Sequence, residues 1–151
     1  MTWLPYIAII ILNAANCRFK RIKYGRYMRY FDLMEFDSPD LPGSGEFMSQ
    51  DFLDLLDKAR ERAGVPFVIS SGYRTSEHQE KLKAKGYKVS KDSSHRLGLA
   101  ADIKCINSVD RYKIIEALLY VGINRIGIGK TFIHADLDNR KHKPIEVIWN
   151  Y

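Results

Sequence analysis

The stretch Ser93-Ser-His-Arg-Leu-Gly-Leu-Ala-Ala-Asp102 runs from a polar loop into an apolar segment that ends on a carboxylate. Residues 97–105 read as a strand, and strand side chains alternate with period two, so Ala100 and Asp102 share one face. A carboxylate buried in such a strand without a partner is expensive, and its burial calls for a cation. His95 lies seven positions before Asp102. Its imidazole converges on that carboxylate only if the chain bends near Gly98, a residue with the conformational freedom for the bend and with room beside a bound ion. Ala100 keeps the floor of such a site small.

A second cluster, Phe132-Ile-His-Ala-Asp136, places His134 and Asp136 on one strand face and turns Ile133, Ala135 and Leu137 towards the core. His95, Asp102 and His134 then supply three nitrogen and oxygen ligands and leave a fourth position for water, as catalytic Zn2+ requires. His78 and His142 stand outside both clusters and read as surface or hydrogen-bonded residues.

Outward from these clusters, the elements alternate irregularly. Ser49 can cap a helix in which Phe52, Leu55, Leu56, Ala59 and Ala63 form one buried face that ends at Gly64. Pro66 to Ser70 reads as a short strand, Thr75 or Ser76 caps a helix through Ala84, and Lys85 to Ser94 is a polar loop. Ser108 is the expected cap of a second long helix, with Ile114, Ile115, Leu118 and Leu119 buried and Gly122 closing it. Apolar stretches at 125–128, 132–137 and 145–149 read as a meander of strands. Two or three helices mixed with short strands, without regular βαβ alternation, predict an α+β fold on a small, mostly antiparallel sheet.

The chain has 151 residues, enough for one domain and a core that needs no staples. Cys17 and Cys105 have no CxxC spacing, so neither a thiolate metal site nor a disulfide framework is suggested. The net charge of +6 resides entirely in residues 1–29, where Arg18, Lys20, Arg21, Lys23, Arg26 and Arg29 meet no acid. The body, residues 30–151, is neutral and lacks the broad field that gathers phosphate, which argues against nucleic acid as a partner. Trp3 to Leu12 is an apolar run shorter than the roughly 20 residues of a membrane span and lacks the basic start of a signal peptide, and Asn16 before Cys17 weakens a lipobox. Weak contact of residues 1–29 with anionic lipid fits this composition. Turn formers from Asp37 to Gly45 separate this arm from the body.

Ser93, His95, Gly98, Ala100 and Asp102 fill the motif SxHxxGxAxD, and in this the chain resembles the M15 zinc peptidases of peptidoglycan. Ser70-Ser-Gly-Tyr-Arg-Thr75 is similar to that family's SGYR segment, and Phe132 to Asp136 to the His-x-Asp strand of its small, often phage-encoded branch. The resemblance runs from about Tyr30 onward. It implies a hedgehog or D-Ala-D-Ala peptidase-like fold with the zinc site on the sheet and His95, Asp102 and His134 as ligands. It also implies substrate contacts from Ser93, Tyr73 and Arg74, with Arg74 donating to the scissile carbonyl or to a substrate carboxylate, a task suited to a planar cation.

The implied partner is the peptidoglycan stem peptide, cut by a carboxypeptidase or endopeptidase at the bacterial wall, in the periplasm or as a phage product released at lysis, and a monomer is expected. Better-described branches carry an acid three residues before the last histidine ligand as general base, whereas this chain has Thr131. Asp136 is the replacement candidate for the base, or else it orients His134. Three function classes follow. They are a zinc amidase of the stem peptide, a catalytically silent wall-binding module on the same fold, and a basic-arm nucleic-acid or membrane protein.

Overall fold

The computed structural model describes residues 28–87 and 89–151, so the apolar run, Cys17 and all the arm's basic residues except Arg29 lie outside the described residues. No helix among the described residues is long and apolar enough to cross a membrane. Met28 is buried in the core and the backbone amides of Arg29 and Tyr30 donate to Asp57, which ties the chain to the first long helix from Met28 onward.

That helix, α1 (Gln50–Ala63), begins where the Ser49 hydroxyl accepts from the Phe52 amide and ends at Gly64 in the left-handed region. It buries Phe52, Leu53, Leu56, Ala59 and Ala63, with Leu55 only partly covered. Each large apolar side chain so buried contributes about 1.5–3 kcal/mol. β1 (Val68–Ser71) starts two residues later than expected, after the buried Phe67. Thr75 caps α2 (Ser76–Ala84) through the His78 amide.

The strand expected over 97–105 divides in two. Ser94–Leu97 forms a single 3-10 turn, Gly98 takes φ 68°, and β2 covers only Ala100–Lys104. α3 (Ser108–Tyr120) is capped by Asn107, whose side-chain oxygen accepts from the Asp110 amide, one residue earlier than expected; Ile114, Ala117 and Leu118 are its buried residues, while Leu119 is exposed. β3 (Arg125–Ile128), β4 (Phe132–Asp136) and β5 (Val147–Asn150) follow.

These three strands are no meander. The sheet order is β1-β2-β4-β3-β5, antiparallel throughout except that β5 runs parallel to β3. The reason lies in residues 137–146, where Arg140, His142 and Lys143 pair with Asp92 in the loop before His95, so the chain returns along the far edge of β3. The fold is α+β, with Ala101, Ile103, Ile126, Ile133 and Ala135 packed in one core with α1 and α3. The opposite face of the same strands carries Ala100, Asp102, His134, Asp136, Arg125 and Gly127.

Residues 33–49 are a packed frame and not a separator. Asp37 accepts from the Gly43 and Gly45 amides, and the Phe36 carbonyl accepts from the Tyr73 amide at 2.8 Å. A Cβ at Gly72 would sit 2.5 Å from Phe36 Cα, and one at Gly98 would overlap the Phe47 carbonyl. The frame thus presses on both segments that carry site residues. Gly98→Ala combines a left-handed backbone with that overlap, so it should destabilise the fold by about 2 kcal/mol or more. Urea unfolding of the variant at wild-type stability would show that the contact yields freely.

Candidate metal centre and cleft

Cross-strand register builds the site in one row. Ser71 on β1, Asp102 on β2, His134 on β4, Gly127 on β3 and Trp149 on β5 are successive partners across the sheet, and Ala100, Asp136, Arg125 and Val147 form the neighbouring row. His95 reaches the first row from the 3-10 turn below Gly98. The bend expected there brings imidazole and carboxylate together, with His95 Nε2 3.3 Å from Asp102 Oδ1.

The tautomers follow from the neighbours. His95 Nδ1 is 2.7 Å from the Gly72 carbonyl, which can only accept, so Nδ1 carries hydrogen and Nε2 a lone pair. His134 Nε2 donates to Asp136 Oδ2 at 2.9 Å and leaves its Nδ1 lone pair facing Asp102 Oδ1 at 2.8 Å and His95 Nε2 at 3.3 Å. Three electron-rich atoms so close repel one another unless a cation lies among them. An ion with tetrahedral bonds of about 2.0–2.1 Å has ligand edges of about 3.3 Å, so His95, Asp102 and His134 fit a metal of that size.

The electrostatics agree. Burial works to raise the Asp102 carboxyl, but the His134 and His95 imidazoles, which carry positive charge whenever they are protonated, hold it well below the ordinary range. Burial also opposes charge on both histidines; it prevails at His95, which is lowered, while Asp102 and Asp136 overcome it at His134, which is raised. A proton on His134 is therefore the metal's competitor, and metal binding should release it.

Asp136 is 1% exposed and engaged at both oxygens. Oδ2 meets His134, while Oδ1 accepts from Arg125 Nε at 2.7 Å and the Asp138 amide at 2.9 Å. Thr131 is exposed on the turn before β4 and does not line the cleft.

The cleft over the row encloses about 760 Å³. His78, Leu82, Tyr87 and Val89 form one wall, Phe132, Trp149 and Tyr151 the other, with Arg74 and Ser93 beside the triad. Arg74 donates to Ser71 Oγ at 2.9 Å and to Gln79 at 3.3 Å, lies 3.8 Å from Asp102 Oδ2, and has a buried Nε without a hydrogen-bond partner. Burial lowers its basicity, with Asp102 opposing. Tyr73 packs its ring on Phe47 at 5.2 Å and is absent from the cleft lining, because its backbone is tied to Phe36. Burial lowers the His78 imidazole from its ordinary range, with Asp40 opposing and Arg74, Lys81 and Lys85 acting in the same direction as burial.

Several contributors were not foreseen from the sequence. Asp138, fully buried, accepts from Ser94 Oγ at 2.7 Å and from Arg140 at 2.6 Å, and Asp92 pairs with Arg140 and His142, so two loops clamp the segment that carries His95. Arg140 first, then Ser94, holds the Asp138 carboxyl well below the usual range against burial. Trp149 on β5 and Tyr151 just beyond it share parity, the one sequence signal that could have placed both on the site face.

A family model described as Peptidase M15 matches residues 33–136. The chain belongs to the peptidase M15 family. No curated protein and no solved structure matches it. M15 members are metallopeptidases, and the matched span holds the whole His95, Asp102 and His134 group together with Arg74 and Ser93. If Asp136 serves to orient His134 in this M15 peptidase, Asp136→Asn should weaken metal affinity about 10-fold to 100-fold, and excess metal should restore function. Calorimetric titration of the metal-free protein measures this. Wild-type affinity in the variant would contradict it.

Proposed function

We propose that this M15 member is a zinc peptidase that hydrolyses an amide bond in the peptidoglycan stem peptide. The observation that carries the reading is the convergence of three lone pairs, two nitrogen and one oxygen, at the floor of an open cleft. Two imidazoles and one carboxylate are a catalytic zinc set, and such an ion supplies Lewis acidity that polarises a carbonyl and acidifies water. Arg74, already desolvated and with an unpartnered Nε, is suited to an anionic or developing-anionic group of the substrate. Ser93 offers a hydroxyl on the same wall to the substrate backbone.

Asp136 orients His134 in this reading, because neither of its oxygens is uncommitted. The proton of the attacking water then passes to another group. Of Glu77, His78, Glu80 and Asp92, the carboxylates and histidine between Arg74 and His95, His78 and Asp92 line the cleft, and Asp92 is held in ion pairs with Arg140 and His142. Burial favours the neutral His78 imidazole, which takes the base role. Activity should therefore fall as pH drops through its lowered pKa.

Purified wall fragments incubated with the zinc-loaded protein should release products whose masses identify the bond, and chelator should stop the release. In the same assay Arg74→Ala should keep its metal but lose about 10²-fold to 10³-fold in turnover, and His78→Gln should lose the acidic limb of the pH profile. Binding to wall without any cleavage, with metal at one equivalent, would favour the silent-module reading.

A further inference from the structure

We propose that the Tyr151 phenol is a catalytic residue that donates a hydrogen bond to the oxyanion developing on the scissile carbonyl, from the wall opposite Arg74. The inference rests on the peptidase reading above and adds a residue outside the matched span, 33–136.

Its warrant is placement. The Tyr151 amide donates to the Ile128 carbonyl at 3.1 Å, which extends the β3–β5 pairing and puts Tyr151 on the same side as Trp149. Both rings lie over Gly127, where a Cβ would meet Tyr151 at 2.6 Å and Trp149 at 2.8 Å. Gly127 is the partner of His134 across the sheet, so the missing side chain is the gap through which the phenol reaches the ligand row. There its ring meets His134 at 6.2 Å and 70°, and is held by Phe132 at 5.1 Å and Trp149 at 6.0 Å. These contacts direct the ring towards the ligand row, although Tyr151 as a whole is 66% exposed.

The surroundings suit a donor. Asp102, Asp136 and Arg74 all act electrostatically on the phenol, and burial with the charge of Asp102 pushes it up to about 12. A phenol of ordinary pKa, about 10, already keeps its hydrogen at neutral pH. No proton is transferred in the proposed step; the hydrogen stays on the phenol as negative charge accumulates on the carbonyl oxygen. Arg74 and Tyr151 would then flank the reacting carbonyl, one charged and one neutral. A neutral donor adds stabilisation without pulling a substrate carboxylate away from Arg74.

Tyr151→Phe keeps the ring and its three aromatic contacts, so fold and metal content should be unchanged. With the zinc-loaded protein and a soluble stem peptide, kcat should fall about 10²-fold and KM should stay within about twofold, the pattern of a donor used only in the transition state. Calorimetric affinity for a phosphinate analogue of the scissile amide, whose oxyanion mimics the adduct, should fall by a similar factor. Wild-type kcat in Tyr151→Phe would overturn the proposal, as would equal losses in substrate and phosphinate binding, which would make the ring a wall only. A wild-type protein that cleaves no wall peptide would overturn the peptidase reading itself and this role with it.

Discussion

The His134 Nε2–H bond to Asp136 Oδ2 at 2.9 Å sets Nδ1 against Asp102 Oδ1 at 2.8 Å, and the rest of the structure serves that orientation. It fixes which nitrogen faces the cleft. With Nε2–H donated to the buried Asp136 carboxylate, Nδ1 is the nitrogen that presents its lone pair to Asp102 and His95. Asp136 can play its part because Arg125 and the Asp138 amide anchor its other oxygen, and Arg125 can approach because it is the β3 partner of Asp136 across the sheet. Charge burial is compensated link by link along this chain, as a buried carboxylate requires.

The sheet provides the constraint in a second way. Antiparallel register sets Asp102 directly opposite His134, and neighbouring partners of this kind have Cβ atoms about 4.5–5.5 Å apart. Two ligands therefore need no loop to bring them together. Only His95 comes from irregular chain, and three restraints hold that segment: the Gly98 turn pressed on Phe47, the Nδ1 bond to the Gly72 carbonyl, and Ser94 on Asp138. Rigidity is concentrated where the sheet alone could not position a ligand.

Much of this was legible in the sequence because it follows parity. Period-two alternation paired Ala100 with Asp102 and His134 with Asp136, and the cost of a lone carboxylate in an apolar strand pointed to a cation. The bend at Gly98 followed from the need for His95 to converge. Helix ends were readable where capping chemistry is local, as at Ser49 and Gly64, while at the third helix Asn107 captured the Asp110 amide ahead of Ser108. What parity cannot report is strand order. The parallel β5 depends on ion pairs of Asp92 with Arg140, His142 and Lys143, distant in sequence, and with β5 went the aromatic wall of Trp149 and Tyr151. The commitment of both Asp136 oxygens was likewise invisible, since a meander makes the two strands neighbours but does not give the register that sets Arg125 opposite Asp136.

The proposed chemistry requires His95 Nε2, Asp102 Oδ1 and His134 Nδ1 to hold one metal ion jointly. Its most direct measurement is anomalous diffraction at the zinc edge from crystals of the zinc-loaded protein. The account predicts one peak per chain within bonding distance of those three atoms, with His134 coordinating through Nδ1 and its Nε2 still on Asp136. A peak bonded to His134 Nε2, or one seated elsewhere while these three atoms keep their direct contacts, would contradict it.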